Sequence, residues 1–240
     1  MCTVTLVPLQ NDDFVLISNR DEAPSRVSIA PEFYTYKNKQ LLFPKDIQSN
    51  GTWIGLSEQN RLICLLNGGF EIHERKAEYR QSRGIVVKDL LFCDAIQDAI
   101  EDYELMDIEP FTMVIVDWND VLDFYELVWD GNQKHFKSLE KLPHIWSSST
   151  LYNEGMRQER RNWFQEFQQF NILNPESLFD FHQTAGKGNI DYGVIMDRKF
   201  VKTTSITRVH KDQEQVFMDY KDLKTNQHTT KSLNTFSRKK

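Results

Sequence analysis

The residues with the most chemical content stand at the beginning of the chain. Cys2 follows Met1 directly, in the string Met1-Cys2-Thr3-Val4-Thr5-Leu6-Val7. Cysteine is small enough for a methionine aminopeptidase to expose, and loss of Met1 would leave a thiol and a free α-amine on one residue. An amine with an unperturbed pKa of roughly 7.7–8.0 accepts a proton from a thiol of roughly 8.5 near neutral pH, so one residue would hold both nucleophile and base. The structural alternative is a small buried apolar residue of a strand, a common setting for free cysteine.

A second cluster, Asn19-Arg20-Asp21-Glu22, closes an apolar run that begins at Phe14. Beside Cys2, the Arg20 cation would favour the thiolate, and the Asp21 carboxylate would hold and orient the α-amine. Read structurally, the same four residues make a turn with a surface ion pair of little worth. The functional reading needs two paired strands to bring Cys2, Arg20 and Asp21 together.

The pattern supplies such strands. Apolar or alternating runs at 2–8 and 14–19 flank Gln10-Asn11-Asp12-Asp13 and read as a hairpin. A second pair, 52–57 and 61–67, is bounded by Asn50-Gly51 and Gly68-Gly69, giving four strands in the first third. Helical spacing covers 82–105, with Asp94 as a cap before Ala95, Ile96, Ala99 and Ile100. Strands at 111–118, 121–129 and 134–139 form a meander that ends near Trp146. Helices follow at 152–170, with Asn153 as N-cap and Arg157, Arg160 and Arg161 on a solvated face, and at 175–185. Strands at 201–209 and 215–220 close the fold. Tight connections favour antiparallel pairing, and helices must bury their apolar faces, so the expectation is a single domain over 1–220 of α+β class, layered as helices around two sheets.

Composition narrows the function. The formal charge is −6, from 35 acidic against 29 basic side chains in 240 residues, and no basic stripe tracks a phosphate backbone, which argues against nucleic acid. The most basic stretch, Ser237-Arg238-Lys239-Lys240, ends a polar tail expected to fray over 221–240. Three widely spaced cysteines, Cys2, Cys64 and Cys93, make neither a disulfide framework nor a zinc site and suit a reducing compartment. The N-terminus has no basic n-region and no stretch is apolar enough for a bilayer span, so a cytoplasmic protein is expected. The six histidines show no ligand spacing and read as mostly surface residues, with no metal site; Gly186-Lys187-Gly188 lacks the pattern of a phosphate loop. No cofactor is expected.

The Met-Cys strand, Asn19-Arg20-Asp21-Glu22 and Gly51-Thr52-Trp53-Ile54-Gly55 together resemble the NRDE family, also called the transport-and-Golgi-organisation protein two family. The likeness is close in the first third and looser to about Tyr220. It implies an N-terminal nucleophile hydrolase fold, a four-layer αββα sandwich with two largely antiparallel sheets between helical layers, similar to penicillin V acylases and bile salt hydrolases. It implies a cysteine amidohydrolase that cleaves a small-molecule amide through an acyl-enzyme, with Cys2, Arg20 and Asp21 in the corresponding roles.

Asn67, at the position of the family's strand-terminal Asn, is the candidate donor to the oxyanion, with Gly68-Gly69 allowing close backbone approach; a turn asparagine is the plain alternative. Asn19, Trp53 and Ser148 are assigned to the substrate side, although Trp53, Phe70 and Trp146 are also ordinary core aromatics. Two departures stand out. Relatives carry Ser-Asn-Ser where this chain reads Ser147-Ser148-Ser149, so Ser148 offers one hydroxyl in place of an amide. The arginine that family members often carry in the C-terminal strand has moved or is absent in Thr203-Thr204-Ser205-Ile206-Thr207-Arg208, and no role is carried onto Arg208. The alternative function on the same fold is a carrier without turnover, with haem as its ligand and Cys2 as a thiolate ligand or a structural residue.

Overall fold

The computed structural model describes residues 3–234. Cys2, the expected nucleophile, lies outside the described residues, as does the basic Ser237-Arg238-Lys239-Lys240 end. The chain forms two compact units, one of residues 3–26 with 141–232 and one of residues 27–140 with 233–234.

In the first unit the expected opening hairpin is present as β1 (Thr3–Pro8) and β2 (Phe14–Glu22). Between them Asn11 and Asp12 take φ of 60° and 56°, a left-handed conformation that Asn and Asp tolerate better than other side chains. The pairing is antiparallel and runs from Thr3↔Asn19 to Pro8↔Phe14. With β10 (His144–Ser147), β11 (Lys202–Asp212), β12 (Gln215–Asp222) and β13 (His228–Asn234), these strands make a sheet in the order β10-β1-β2-β11-β12-β13. Two helices pack on it. In α3 (Glu154–Phe170), the Asn153 side chain accepts from the Met156 N–H at 3.0 Å, the expected N-cap. In α4 (Pro175–Thr184), Asn174 and Ser177 form a reciprocal capping box and Pro175 stands in the first turn. Val7, Val15, Ile17 and Ile206 of the sheet meet Phe164, Leu178 and Phe181 of the helices in one apolar cluster.

The second unit is a seven-stranded antiparallel sheet in sequence order: β3 (Ser28–Tyr36), β4 (Lys39–Asp46), β5 (Ile54–Ser57), β6 (Arg61–Asn67), β7 (Phe111–Asp117), β8 (Asp123–Trp129) and β9 (Lys134–Leu139). Its helices are α1 (Arg83–Phe92) and α2 (Ile96–Asp102). Leu41, Phe43, Ile63 and Leu65 pack against Val86, Val87, Leu90 and Leu91. The glycines of Gly51-Thr52-Trp53-Ile54-Gly55 serve this packing. A Cβ on Gly51 would stand 2.9 Å from Gly84 Cα, and one on Gly55 would stand 2.7 Å from Leu91 Cδ1. The motif lets α1 approach the start of β5 more closely than any side chain allows.

Several expectations are corrected. The first third holds six strands where four were read, because β3 and β4 went unseen. β3 is an edge strand with mostly solvated side chains, Pro31 within it and a register shift between Ile29 and Glu32, so it shows little apolar alternation. The meander ends at β9, since β10 joins β1 in the other sheet. Asp94 does not cap α2; its carboxylate pairs with Lys39 at 2.6 Å, and Ala95 occupies the N-cap position. Of the stretch expected to fray, the described residues 221–234 instead complete β12 and contain β13, while 235–240 lie outside the described residues. Arg160 is not on a solvated face, and His182 is not at the surface: both are 0% exposed. Among the described residues no helix is long and apolar enough to cross a membrane.

Candidate active site

Strand alternation and helix docking together place the candidate residues of the first unit. β2 continues through Glu22, so Asn19-Arg20-Asp21 belongs to a buried strand and is not a surface turn; Arg20 and Asp21 are 3% and 2% exposed. Successive side chains leave a strand on opposite faces. Asn19 and Asp21 are on the side of α3 and α4, and Arg20 is on the other, so the strand separates the two charges.

Both oxygens of the Asp21 carboxylate receive hydroxyl donors. Tyr152 Oη donates to Oδ2 at 2.6 Å and Thr203 Oγ1 donates to Oδ1 at 2.6 Å. Short bonds to an ionised oxygen are the strong kind, and two of them on different oxygens fix the plane of the carboxylate. Thr203 is placed by β11, where it pairs with Asp21. Tyr152 is placed by the turn that follows β10, since its N–H donates to the Ser148 carbonyl at 3.2 Å. Ser148 itself is buried, with its hydroxyl 2.9 Å from that of Thr150.

The Tyr152 ring carries a cation on its face. The guanidinium carbon of Arg160 stands 3.6 Å from the ring centroid, a contact that gains weight when desolvated. Arg160 also donates to the Thr3 hydroxyl and to the carbonyls of Tyr192 (3.0 Å) and Gly193 (2.8 Å). It thereby ties α3 to the first described residue of β1. Its position was legible in principle: Met156, Arg160 and Phe164 recur at four-residue spacing on the apolar stripe of α3, and residue type alone suggested solvent.

Two residues along each strand, His182 of α4 completes a second buried set with Asn19 and Thr5. Asn19 Nδ2 donates to the carbonyls of His182 (3.0 Å) and Val194 (2.6 Å), which leaves its Oδ1 facing His182 Nδ1 at 2.6 Å. Nδ1 therefore carries the imidazole proton, and Nε2 accepts from the Thr5 hydroxyl at 2.8 Å. Burial, with the Arg160 charge as the second cause, pushes the imidazole down to about 3, so it is neutral. The expected substrate residue Asn19 is thus committed to holding α4 and the 182–194 backbone against β2.

On the opposite face Arg20 donates to Thr204 Oγ1 at 3.3 Å and lies 4.0 Å from Glu22, which in turn pairs with Arg26 at 3.4 Å. Arg20 pairs across the sheet with Ser205, and Ser18 with Thr207. The hydroxyls of Ser205 and Thr207 are buried and have no hydrogen-bond partner among the described residues. Arg208 is structural: it bonds Asp219 at 2.9 Å and the Pro175 carbonyl at 3.2 Å.

In the second unit, Asn67 is the last residue of β6, paired with Phe111, and is followed by Gly68 at φ 87°. Trp53 is buried and its carbonyl accepts from Leu65. Phe70 is half-exposed, edge-on to His135. Cys64 is fully buried, and burial raises the Cys93 thiol. Among the described residues no group of histidines, cysteines and carboxylates could hold a metal ion. Tyr152, Thr203, Arg160 and His182 were not expected at the site, since their contacts span long sequence separations.

Comparison with known proteins agrees with this architecture. Residues 1–233 match the model of the family described as Transport and Golgi organisation 2. No curated protein sequence matches the chain. In structure it is similar to an N-acylethanolamine-hydrolyzing acid amidase ortholog of Caenorhabditis elegans, at 12% identity and a TM-score of 0.59 over 86% of this chain and 92% of that one. It is also similar to a variant of the conjugated bile acid hydrolase of Clostridium perfringens, at 10% identity and a TM-score of 0.55 over 98% of each chain. Penicillin V acylase of Agrobacterium tumefaciens matches at 8% identity and a TM-score of 0.50, over 95% of this chain and 85% of that one. These are acylases and amidases of the N-terminal nucleophile type, and the likeness shows the fold: an α+β sandwich with two antiparallel sheets.

Proposed function

The chain belongs to the Transport and Golgi organisation 2 family and has the fold of N-terminal nucleophile amidases, and on that premise we propose that it is a cysteine amidohydrolase acting on a small-molecule amide. The observation that carries the proposal is the pairing Thr3↔Asn19, with buried Arg20 and Asp21 next in β2. The reading requires that register to continue by one residue and Met1 to be removed. Cys2 Sγ then attacks the amide carbonyl carbon while the α-amine takes the thiol proton. The tetrahedral intermediate collapses with cleavage of the C–N bond, the proton passes to the leaving amine, and water hydrolyses the thioester.

Asp21, fixed by Tyr152 and Thr203, orients the Cys2 amine. Arg20 favours the thiolate. The family resemblance makes Asn67 the expected donor to the oxyanion, a contribution worth about 10²–10³ in rate. Asn19 supports the strand end, and Trp53 and Ser148 stay the substrate-side candidates that the resemblance suggests.

Intact mass of protein expressed without an N-terminal tag, followed by a screen of small amides with wild type and Cys2→Ala, tests the reading. A mass short by one methionine and a Cys2-dependent release of amine are expected. Retained Met1, or hydrolysis that survives Cys2→Ala, overturns it. A Cys2-dependent Soret shift on adding haem, with no hydrolysis, would turn the reading toward a carrier.

A further inference from the structure

We propose that Tyr152 and Arg160 are positioning residues for the Cys2 thiol, forming a clamp that ties the start of β1 to the Asp21 carboxylate. The role given to the thiol rests on the amidohydrolase reading; the clamp itself is read from contacts among described residues.

Three features carry it. Tyr152 is 1% exposed, and its hydroxyl is committed to one Asp21 oxygen at 2.6 Å. Two cations lie over the Tyr152 ring, Arg160 at 3.6 Å and Arg198 at 5.3 Å from its centroid. Arg160, 0% exposed, bonds both the Thr3 hydroxyl and the Tyr192 and Gly193 carbonyls, so one guanidinium joins β1, α3 and the segment that leads to β11. Burying an arginine at 0% exposure against the Tyr152 ring, beside the apolar cluster of Val7, Val15, Ile17, Phe164 and Phe181, is expensive. Packing alone would be served as well by a leucine or methionine. What a guanidinium adds is direction: it sets the position of Thr3 relative to the Tyr152 ring, and the phenol sets the position of Asp21. Displacements of about 1 Å at groups that support a reacting atom cost as much as about 10²-fold in rate.

The experiment measures the rate of Cys2 alkylation by iodoacetamide at fixed pH. Peptide mapping separates Cys2 from Cys64 and Cys93. Wild type, Tyr152→Phe, Arg160→Lys and Arg160→Met are compared, with a thermal melt of each. Tyr152→Phe keeps the ring and its stacking, removes one hydroxyl, and should slow Cys2 alkylation by about tenfold or more, with a lower Tm because one Asp21 oxygen loses its donor. Arg160→Met should slow it at least as much, and Arg160→Lys should recover part of the rate, since an ammonium still reaches the ring and one of the acceptors. With an amide that wild type cleaves, kcat should fall with KM unchanged.

A purely structural role predicts a lower Tm with an unchanged alkylation rate in the folded protein, and that result overturns the clamp. Alkylation slowed in the variants while wild type cleaves no amide leaves the clamp standing and removes the amidohydrolase reading. Amide cleavage with kcat and alkylation untouched by Tyr152→Phe does the reverse.

Discussion

Acid should loosen this protein through one imidazole, and the size of the effect follows from where that imidazole sits. His182 is fully buried between Asn19 and Thr5, and burial together with Arg160 lowers it from 6.5 to about 3. In the unfolded chain it titrates near 6.5. Between these values the unfolded state binds a proton that the folded state does not, so the stability that His182 contributes is present above pH 6.5 and is lost as pH falls. One proton limits the slope to about 1.4 kcal/mol per pH unit, which by pH 5 amounts to about 2 kcal/mol. The variant His182→Gln stays neutral throughout. It should be less stable than wild type at pH 7.5, by about 1–3 kcal/mol for imperfectly replaced hydrogen bonds, but should lose about 2 kcal/mol less on going to pH 5. Urea unfolding across that range measures both curves. His210, which burial also lowers, is present in both proteins and cancels in the difference. Parallel curves for the two proteins would refute the assignment of a neutral, proton-excluding His182.

Other outcomes follow from single contacts. Gly84→Ala puts a Cβ 2.7 Å from the Thr52 nitrogen and 2.8 Å from its oxygen, so α1 must move off β5; a loss of about 1–3 kcal/mol, read as a lower Tm, is expected. Arg61, 1% exposed, joins Asp117 at 2.7 Å to the carbonyls of Leu90, Cys93 and Asp94, and Arg61→Met should cost about 3–5 kcal/mol in urea unfolding because it strands these acceptors. Asp21→Asn keeps the shape but turns an N–H₂ toward one of the two hydroxyl donors, with an expected cost of about 1–3 kcal/mol by thermal melt and slower Cys2 alkylation. Cys93, whose thiol burial raises, should alkylate more slowly than Cys2 when the two are compared by peptide mapping.

The elements that announced themselves did so through local chemistry. The β1–β2 hairpin carried a polar turn between apolar runs, β7, β8 and β9 alternated around Asn119-Asp120 and Gly131, and α3 and α4 carried Asn153 and Pro175 at their starts. Edge strands β3 and β13 did not, because a strand solvated on most positions needs no apolar alternation. At the site, Arg20 and Asp21 were legible as unusual charges beside an apolar run. Their burial was not, and neither was the division of the pair between the two faces of β2.

By itself, the sequence determined the residue types: a cysteine at position two, a strand ending in Asn19-Arg20-Asp21-Glu22, and glycines where α1 must lie close to β5. Those follow from covalent chemistry and from the spacing of apolar and polar groups over a few residues. Tertiary structure alone decided that Thr203, Tyr152, Arg160 and His182, some 130 to 180 residues from their partners in β1 and β2, would satisfy Asp21, Thr3, Asn19 and Thr5. A polar group inside an apolar interface must find a partner or forfeit its hydration. Which partner it finds depends on how α3, α4 and β11 dock, and no local pattern records that.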